Sequence, residues 1–262
     1  MQEIDQEQVQ TSLRELGITS GDGLLVHSAV QFLGKPLGGI GMYLDALLEV
    51  IGPQGTLAVP AFNFGFARGE SYDPKSTPSA GMGAFSETVR QHPLSLRTPH
   101  PMQSLAIIGQ HAADLAHRDT PSAFDPGSAF ERMLQLDFKL LLLGADERAV
   151  SILHYSEQRF QVPYRYWKEF TGKVRRAGQW EDATYRMYVR DLELNPQLTL
   201  APVRQEMEKQ GTWKSTPVNY GQISACWLND FVSTVDQFLS ADPWALVTNL
   251  PEVKQKFENK QD

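Results

Sequence analysis

Apolar side chains recur along this chain in two periods, and the switches between them predict most of its elements. Val9, Leu13 and Leu16 follow a polar run that opens at Asp5, a helical spacing closed by Gly17. Leu24-Leu25-Val26 is continuous and short, a strand buried on both faces that ends at His27-Ser28. A loop rich in glycine (Gly34, Gly38, Gly39, Gly41) leads to Leu44, Leu47, Leu48 and Ile51 on one helical face, stopped by Gly52-Pro53. Residues 56–59 read as a second strand ended by Pro60, so this stretch forms a βαβ unit. Residues 62–83 are aromatic and rich in Gly and Pro, and a loop that long inside a compact domain usually carries function. A helix over 82–91, a strand over 104–108 and a helix over 110–117 come next. Ser128-Ala-Phe-Glu131 matches a capping box opening a helix that ends near Leu136.

Four leucines, Leu140 to Leu143, bounded by charge and Gly144, mark another strand buried on both faces. Ser151 is the expected N-cap of a helix carrying His154, Glu157 and Gln158 on one face. From about residue 163 the composition shifts. Tyr164, Tyr166, Trp167 and Phe170 cluster, residues 185–190 alternate like an antiparallel strand, and 212–238 mix a strand or loop with a helix. No linker-like run intervenes. The expected fold is α/β: three layers, α/β/α, around a largely parallel sheet, with a small C-terminal α+β lobe. It is read as one domain over 1–262, with a core to about 166, the lobe over about 167–250 and a polar tail over 251–262.

Bulk properties narrow the class. With 262 residues, 41% hydrophobic and 21% charged, the chain can bury a substantial core, as an ordinary globular protein does. A net charge of −7 argues against general nucleic-acid binding. The single cysteine, Cys226, excludes a disulfide framework and a thiolate metal cluster, which makes the cytoplasm the expected compartment. The polar N-terminus reads as no signal peptide, and no apolar run reaches the length of a membrane span.

The chemistry-bearing candidates each have a plainer alternative. His154 lies just beyond a buried strand, where open α/β sheets place their sites, and is a candidate acid/base or a satisfied structural histidine. Glu157, one turn away, and the remote Asp191 are candidate orienters of its imidazole; Asp191 is preferred, because a same-helix carboxylate can point past the ring. The loop from Gly34 to Gly41 can hold a phosphate on its amides or be a plain turn. His100, between Pro99 and Pro101, reads as a stiff turn before it reads as a cleft residue. His92, His111 and His117 read as solvated. No second histidine stands four residues from His154, so no metal is expected, and no G-x-S-x-G elbow is present.

Taken in order, these segments resemble the aminoglycoside 3-N-acetyltransferase family, the antibiotic N-acetyltransferases. The resemblance rests on Leu25-Val26-His27-Ser28-Ala29, Leu37-Gly38-Gly39, Gly52-Pro53-Gln54-Gly55-Thr56-Leu57, Tyr72-Asp73-Pro74, Arg97-Thr98-Pro99-His100-Pro101, Pro126-Gly127-Ser128 and Leu153-His154-Tyr155-Ser156-Glu157. It covers roughly residues 8–166 and fades after Phe170. It implies acetyl transfer from acetyl-CoA to an amine, with His154 as base and the His27-Ser28 strand end helping to bind CoA. On that footing the expected CoA-binding residues are His27, Ser28, Ala29, Lys35, Gly38, Gly39, Arg97 and Ser104, and the expected acceptor-binding residues Asn63, Asp73, His100, Tyr164 and Trp167. The expected partner is a small-molecule amine, not nucleic acid or membrane, with a homodimer as the expected assembly. Two departures bear on the acceptor. Gly38-Gly39 is followed by Ile40-Gly41 where resistance enzymes of the family commonly show Gly-Gly-x-Asp, and Arg68 sits in the aromatic loop, which favours an amino sugar of polysaccharide biosynthesis over a tricationic aminoglycoside. The competing reading is a carbohydrate- or CoA-binding module that keeps the fold without catalysis.

Overall fold

The computed structural model describes residues 2–260; Met1 and the end of the polar tail, Gln261 and Asp262, lie outside them. In chain order it runs β1 (Glu3–Ile4), α1 (Gln6–Glu15), β2 (Gly23–Ser28), β3 (Lys35–Pro36), α2 (Gly41–Ile51), β4 (Thr56–Pro60), α3 (Gly83–Gln91) and β5 (Leu96–Arg97). It continues with β6 (Leu105–Gly109), α4 (Ala112–Ala116), α5 (Ala129–Gln135), β7 (Lys139–Leu143), α6 (Leu153–Arg159), β8 (Arg165–Arg176) and β9 (Gln179–Arg190). Helix α7 (Ala201–Gln210), β10 (Lys214–Val218), β11 (Gly221–Trp227), α8 (Leu228–Ala241) and α9 (Leu250–Glu258) complete it.

The central sheet has seven strands in the order β10-β11-β7-β2-β4-β6-β5. Its middle, β7-β2-β4, is parallel; the flanking strands join antiparallel. The consecutive leucines of β7 explain themselves here. Leu141 and Leu143 enter one core with α1, α2 and α3, while Leu140 and Leu142 enter the other, with α4 to α9. A strand wedged between two helical layers must be apolar at every position, because successive side chains leave on opposite faces. Truncating any of these four leucines to alanine would cost about 2–5 kcal/mol.

The C-terminal part is built differently from a lobe laid beside a core. Strand β11 pairs with β7, Ile223 opposite Leu143 and Cys226 opposite Leu140, so β10 and β11 extend the central sheet. The polar tail forms α9, whose Val253 is buried and whose Phe257 meets Trp244 edge-on, 5.4 Å between ring centres. What stands apart is the hairpin β8–β9, paired from Arg165 with Arg190 to Arg176 with Gln179. Its two-residue turn, Ala177-Gly178, has φ of 47° and 82°, and two positive φ values are what a tightly twisted hairpin demands. No helix among the described residues is long and apolar enough to cross a membrane.

Candidate active site

Parallel strands deliver their carboxyl ends to one edge of a sheet, and a cleft of about 640 Å³ opens there. Three pieces of chain enclose it. Strand ends and the loop after β4 contribute His27, Pro60, Phe62 and Phe64; the segment entering α6 contributes Arg148, Ser151 and His154; the hairpin base contributes Arg165, Tyr188 and Arg190. The strand ends are pinned together at Gly144. A Cβ there would stand 2.6 Å from the Ala29 carbonyl oxygen, and its φ of 76° suits glycine.

Among the described residues that line the cleft, His154 alone sets an imidazole against a buried carboxylate. Its Nδ1 lies 2.5 Å from Oε2 of Glu157, with the imidazole 32% exposed and the carboxylate wholly buried. Arg165 Nε stands 2.9 Å from that same oxygen, and Arg165 Nη1 donates to the Tyr188 carbonyl at 3.1 Å. Burial alone would raise the Glu157 pKa; the charges and hydrogen bonds of Arg165 and His154 outweigh it and hold the carboxyl below its usual value. Arg165 Nη2 also approaches Nδ1, at 3.2 Å, but the carboxylate is closer and only accepts, which assigns the imidazole proton to Nδ1 and leaves Nε2 as the free basic atom. The helix itself is clamped. Ser122 Oγ donates to Gln158 Oε1 at 2.7 Å, Gln158 Nε2 donates to Asp125 at 2.9 Å, and Arg186 of β9 reaches that aspartate at 3.2 Å.

His27, the second histidine of the cleft, has a different character. Burial first, then the neighbouring charge of His154, drives its pKa down to about 3, so it stays neutral. Its Nε2 lies 3.4 Å from both the amide N and Oγ of Ser151. Ser151 therefore turns toward His27, and the expected side-chain cap of α6 is absent: the N-cap position is Ile152.

The other expected site residues take the following positions. Asp191 accepts from the amides of Glu193 and Leu194 and pairs with Lys260 at 2.7 Å, so the carboxylate on His154 is Glu157. His100 is 3% exposed, accepts from the Gln103 amide at 3.0 Å and stacks edge-on against Tyr185; it lies outside the cleft. Tyr164 is fully buried against Trp244, and Trp167 lies under Arg186, 4.4 Å from guanidinium to ring centre. Asn63 spends its amide on Pro78 and Gly65 within its own loop. Asp73 pairs with Arg175 at the hairpin tip, in a different cavity. Arg97 is held by Ser104, Thr77 and Ala61, and Ser104 is buried on the Ala61 carbonyl. Lys35 pairs with Glu3 across β1–β3 on the surface, and Arg68 pairs with Glu70. His27 lines the cleft, while Ser28 and Ala29 at the end of β2, and Gly38 and Gly39 in the turn between β3 and α2, do not. Arg165, Phe62 and Phe64 were not singled out in the sequence. Only the aromatic character of the loop pointed to the two phenylalanines; nothing local pointed to Arg165.

The fold and site define an α/β/α protein with a histidine–carboxylate pair at the carboxyl ends of its central parallel strands. Residues 25–240 match the family described as aminoglycoside 3-N-acetyltransferase, and the chain belongs to that family. It is 30% identical over 180 residues to aminoglycoside N(3)-acetyltransferase III of Salmonella sp, covering 62% of this chain and 63% of that one, under two thirds of the relative's length. Among solved structures, aminoglycoside acetyltransferase AAC(3)-Xa superposes with a TM-score of 0.82 at 23% identity, over 93% of this chain and 94% of that chain. AAC-IIIb, solved as a binary complex with CoASH, superposes with a TM-score of 0.81 at 19% identity, over 92% and 97%. At those identities the likeness is one of fold.

Proposed function

We propose that this protein transfers the acetyl group of acetyl-CoA to an amino group of an amino-sugar or aminoglycoside-type acceptor, with His154 as general base. The observation that carries the reading is the imidazole held through Nδ1 by a buried, ionised Glu157, with Nε2 free in the cleft. An ammonium has no lone pair, so the acceptor gives one proton to solvent and attacks as the free amine. As the amine nitrogen bonds to the thioester carbonyl carbon, His154 Nε2 takes a second proton from it. Collapse of the tetrahedral species breaks the C–S bond, and the sulfur leaves with a proton returned from the imidazolium, giving amide and CoA thiol. The thioester is already activated, so no covalent enzyme intermediate is needed. Glu157 stabilises the transient imidazolium and fixes the ring, as the carboxylate of a catalytic triad does.

CoA is proposed to contact the end of β2, at Ser28 and Ala29, and the Gly38-Gly39 turn. Both glycines have positive φ (92° and 82°) and open space where a Cβ would stand; the Gly39 amide donates to the Pro36 carbonyl at 3.3 Å, which leaves the Gly38 amide approachable by a phosphate oxygen. Membership of the family, and the CoA complex of AAC-IIIb, support acetyl-CoA as donor.

The test is thiol release from acetyl-CoA against a panel of amines. His154→Ala should lower kcat by about 10²–10⁴-fold while folding and CoA affinity stay near parental, the range for loss of a general base. Turnover at the parental rate would overturn the mechanism. CoA binding without thiol release for any amine would make the protein a binding module.

A further inference from the structure

The charges around the cleft are one-sided. Among the described residues no aspartate or glutamate lines it, while Arg148, Arg165 and Arg190 do. The three arginines are not equivalent. Arg165 is neutralised by Glu157 and carries 9% side-chain exposure, and Arg148 is clamped by Asp146 at 2.5 Å on the rim. Arg190, at the last position of β9, is exposed, and the carboxylates that follow it, Asp191 and Glu193, are both taken by Lys260 at 2.7 and 2.8 Å. Arg190 makes no ion pair among the described residues. This is a local reversal of sign in a chain of net charge −7. The rest of the lining mixes neutral polar groups, Gln103, Ser151 and Gln197 among them, with apolar ones, Phe62 and Phe64 meeting edge to face 6.5 Å apart.

We infer that the acceptor is an amine bearing an anionic group, a phosphate ester or a carboxylate, which Arg190 receives. The inference rests on the acyl-transfer reading above. A polycation entering this cleft would be desolvated beside an unpaired guanidinium with no carboxylate to meet it. An anionic group instead gives Arg190 a charge-assisted, bidentate partner. The sugar ring would lie over the phenylalanine faces, with its amine at His154.

The test compares glucosamine, glucosamine 6-phosphate, glucosaminate and kanamycin, by thiol release from acetyl-CoA and by calorimetric binding with CoA present. One of the two anionic amines should show kcat/KM at least about tenfold above glucosamine, the value of one charged hydrogen bond, and kanamycin should fall below glucosamine. Which of the two leads separates a phosphate from a carboxylate source. Arg190→Gln should bring that preference to within about threefold through the acceptor KM, with the CoA KM changed less than about twofold. Kanamycin outperforming both anionic amines would overturn the inference, as would a CoA KM rising as much as the acceptor KM in Arg190→Gln, which would assign the guanidinium to CoA. Absence of thiol release for every amine would end the acyl-transfer reading instead. Calorimetry then still decides the charge preference: tighter binding of an anionic amine than of kanamycin sustains it, and the reverse order, or no binding, removes it.

Discussion

The hairpin β8–β9 touches a cavity at each end, and the two are unlike. The one near its tip is the larger, about 870 Å³ against about 640 Å³ at the base. At the tip three arginines meet carboxylates, Arg97 is spent on carbonyls and Ser104, and Lys75 makes no ion pair among the described residues. Arg175 meets Asp73 at 3.2 Å, Arg176 meets Asp119 at 2.6 Å, and Arg90 meets Glu87 at 2.6 Å, holding that carboxyl down to about 2. At the base, one imidazole offers a free nitrogen and one guanidinium has no counter-ion among the described residues. Volume does not separate the two regions; carboxylates do, since Asp73 and Asp119 in the tip lining meet its arginines and no aspartate or glutamate among the described residues lines the base.

The strongest way to break that distinction is to unmatch the buried pair under the site. Glu157→Gln keeps the shape but strands Arg165, whose side chain is 9% exposed, beside a neutral amide. Breaking a buried ion pair from one side costs about 3–5 kcal/mol. The variant should melt well below the parent and lose kcat as well, because the ring is no longer oriented. Adding Arg165→Met removes the stranded charge and should recover much of the stability without recovering kcat. A Glu157→Gln protein with parental melting and parental kcat would mean that the pair supports neither fold nor chemistry.

How legible this was depends on how local each contact is. His154 and Glu157 stand three residues apart, and helical spacing puts them on one face; their approach was visible in the sequence. Arg165 was invisible, since its contact depends on the hairpin base folding back over α6. Asp191 misled for a related reason. Its partner, Lys260, comes from a segment that read as a polar tail, although Leu250, Val253 and Phe257 keep a helical spacing that buries one face. The lysine of the glycine loop misled likewise: only the pairing of β1 with β3 brings Glu3 to Lys35. The four-leucine strand, the βαβ start and most helix limits were legible, because burial on both faces and glycine stops act within one element.

A second comparison sets the cleft histidine against one outside it. His27 and His100 are both buried and neutral, with pKa values lowered to about 3 and about 4, burial being the main cause in each. A folded pKa below the unfolded value means that the unfolded chain binds the extra proton first. Stability is therefore full above pH 6.5 and drains as pH falls toward 4 and then 3. At pH 5 each histidine should withdraw about 2 kcal/mol. Urea midpoints measured at pH 7.5 and pH 5 should show the loss, and His27→Gln or His100→Gln should each remove about half of it. Equal acid sensitivity in both variants and the parent would mean that neither ring resists protonation in the fold.

The smallest expected effect tests the tip itself. Asp73 accepts from the Lys75 amide at 2.9 Å and pairs with Arg175, whose side chain is 46% exposed. Backbone and side-chain contacts together hold its carboxyl below the ordinary range against the opposing effect of burial. An ion pair with one partner half in water contributes about 0–1 kcal/mol, and the turn hydrogen bond adds about 1 kcal/mol. Asp73→Ala should thus lower stability by about 1–2 kcal/mol, with part of the loss screened away in high salt. Acceptor KM and CoA KM should both stay within about twofold of parental, since this carboxylate faces the tip cavity and not His154. An acceptor KM that rose tenfold with the fold intact would place the acceptor at the tip.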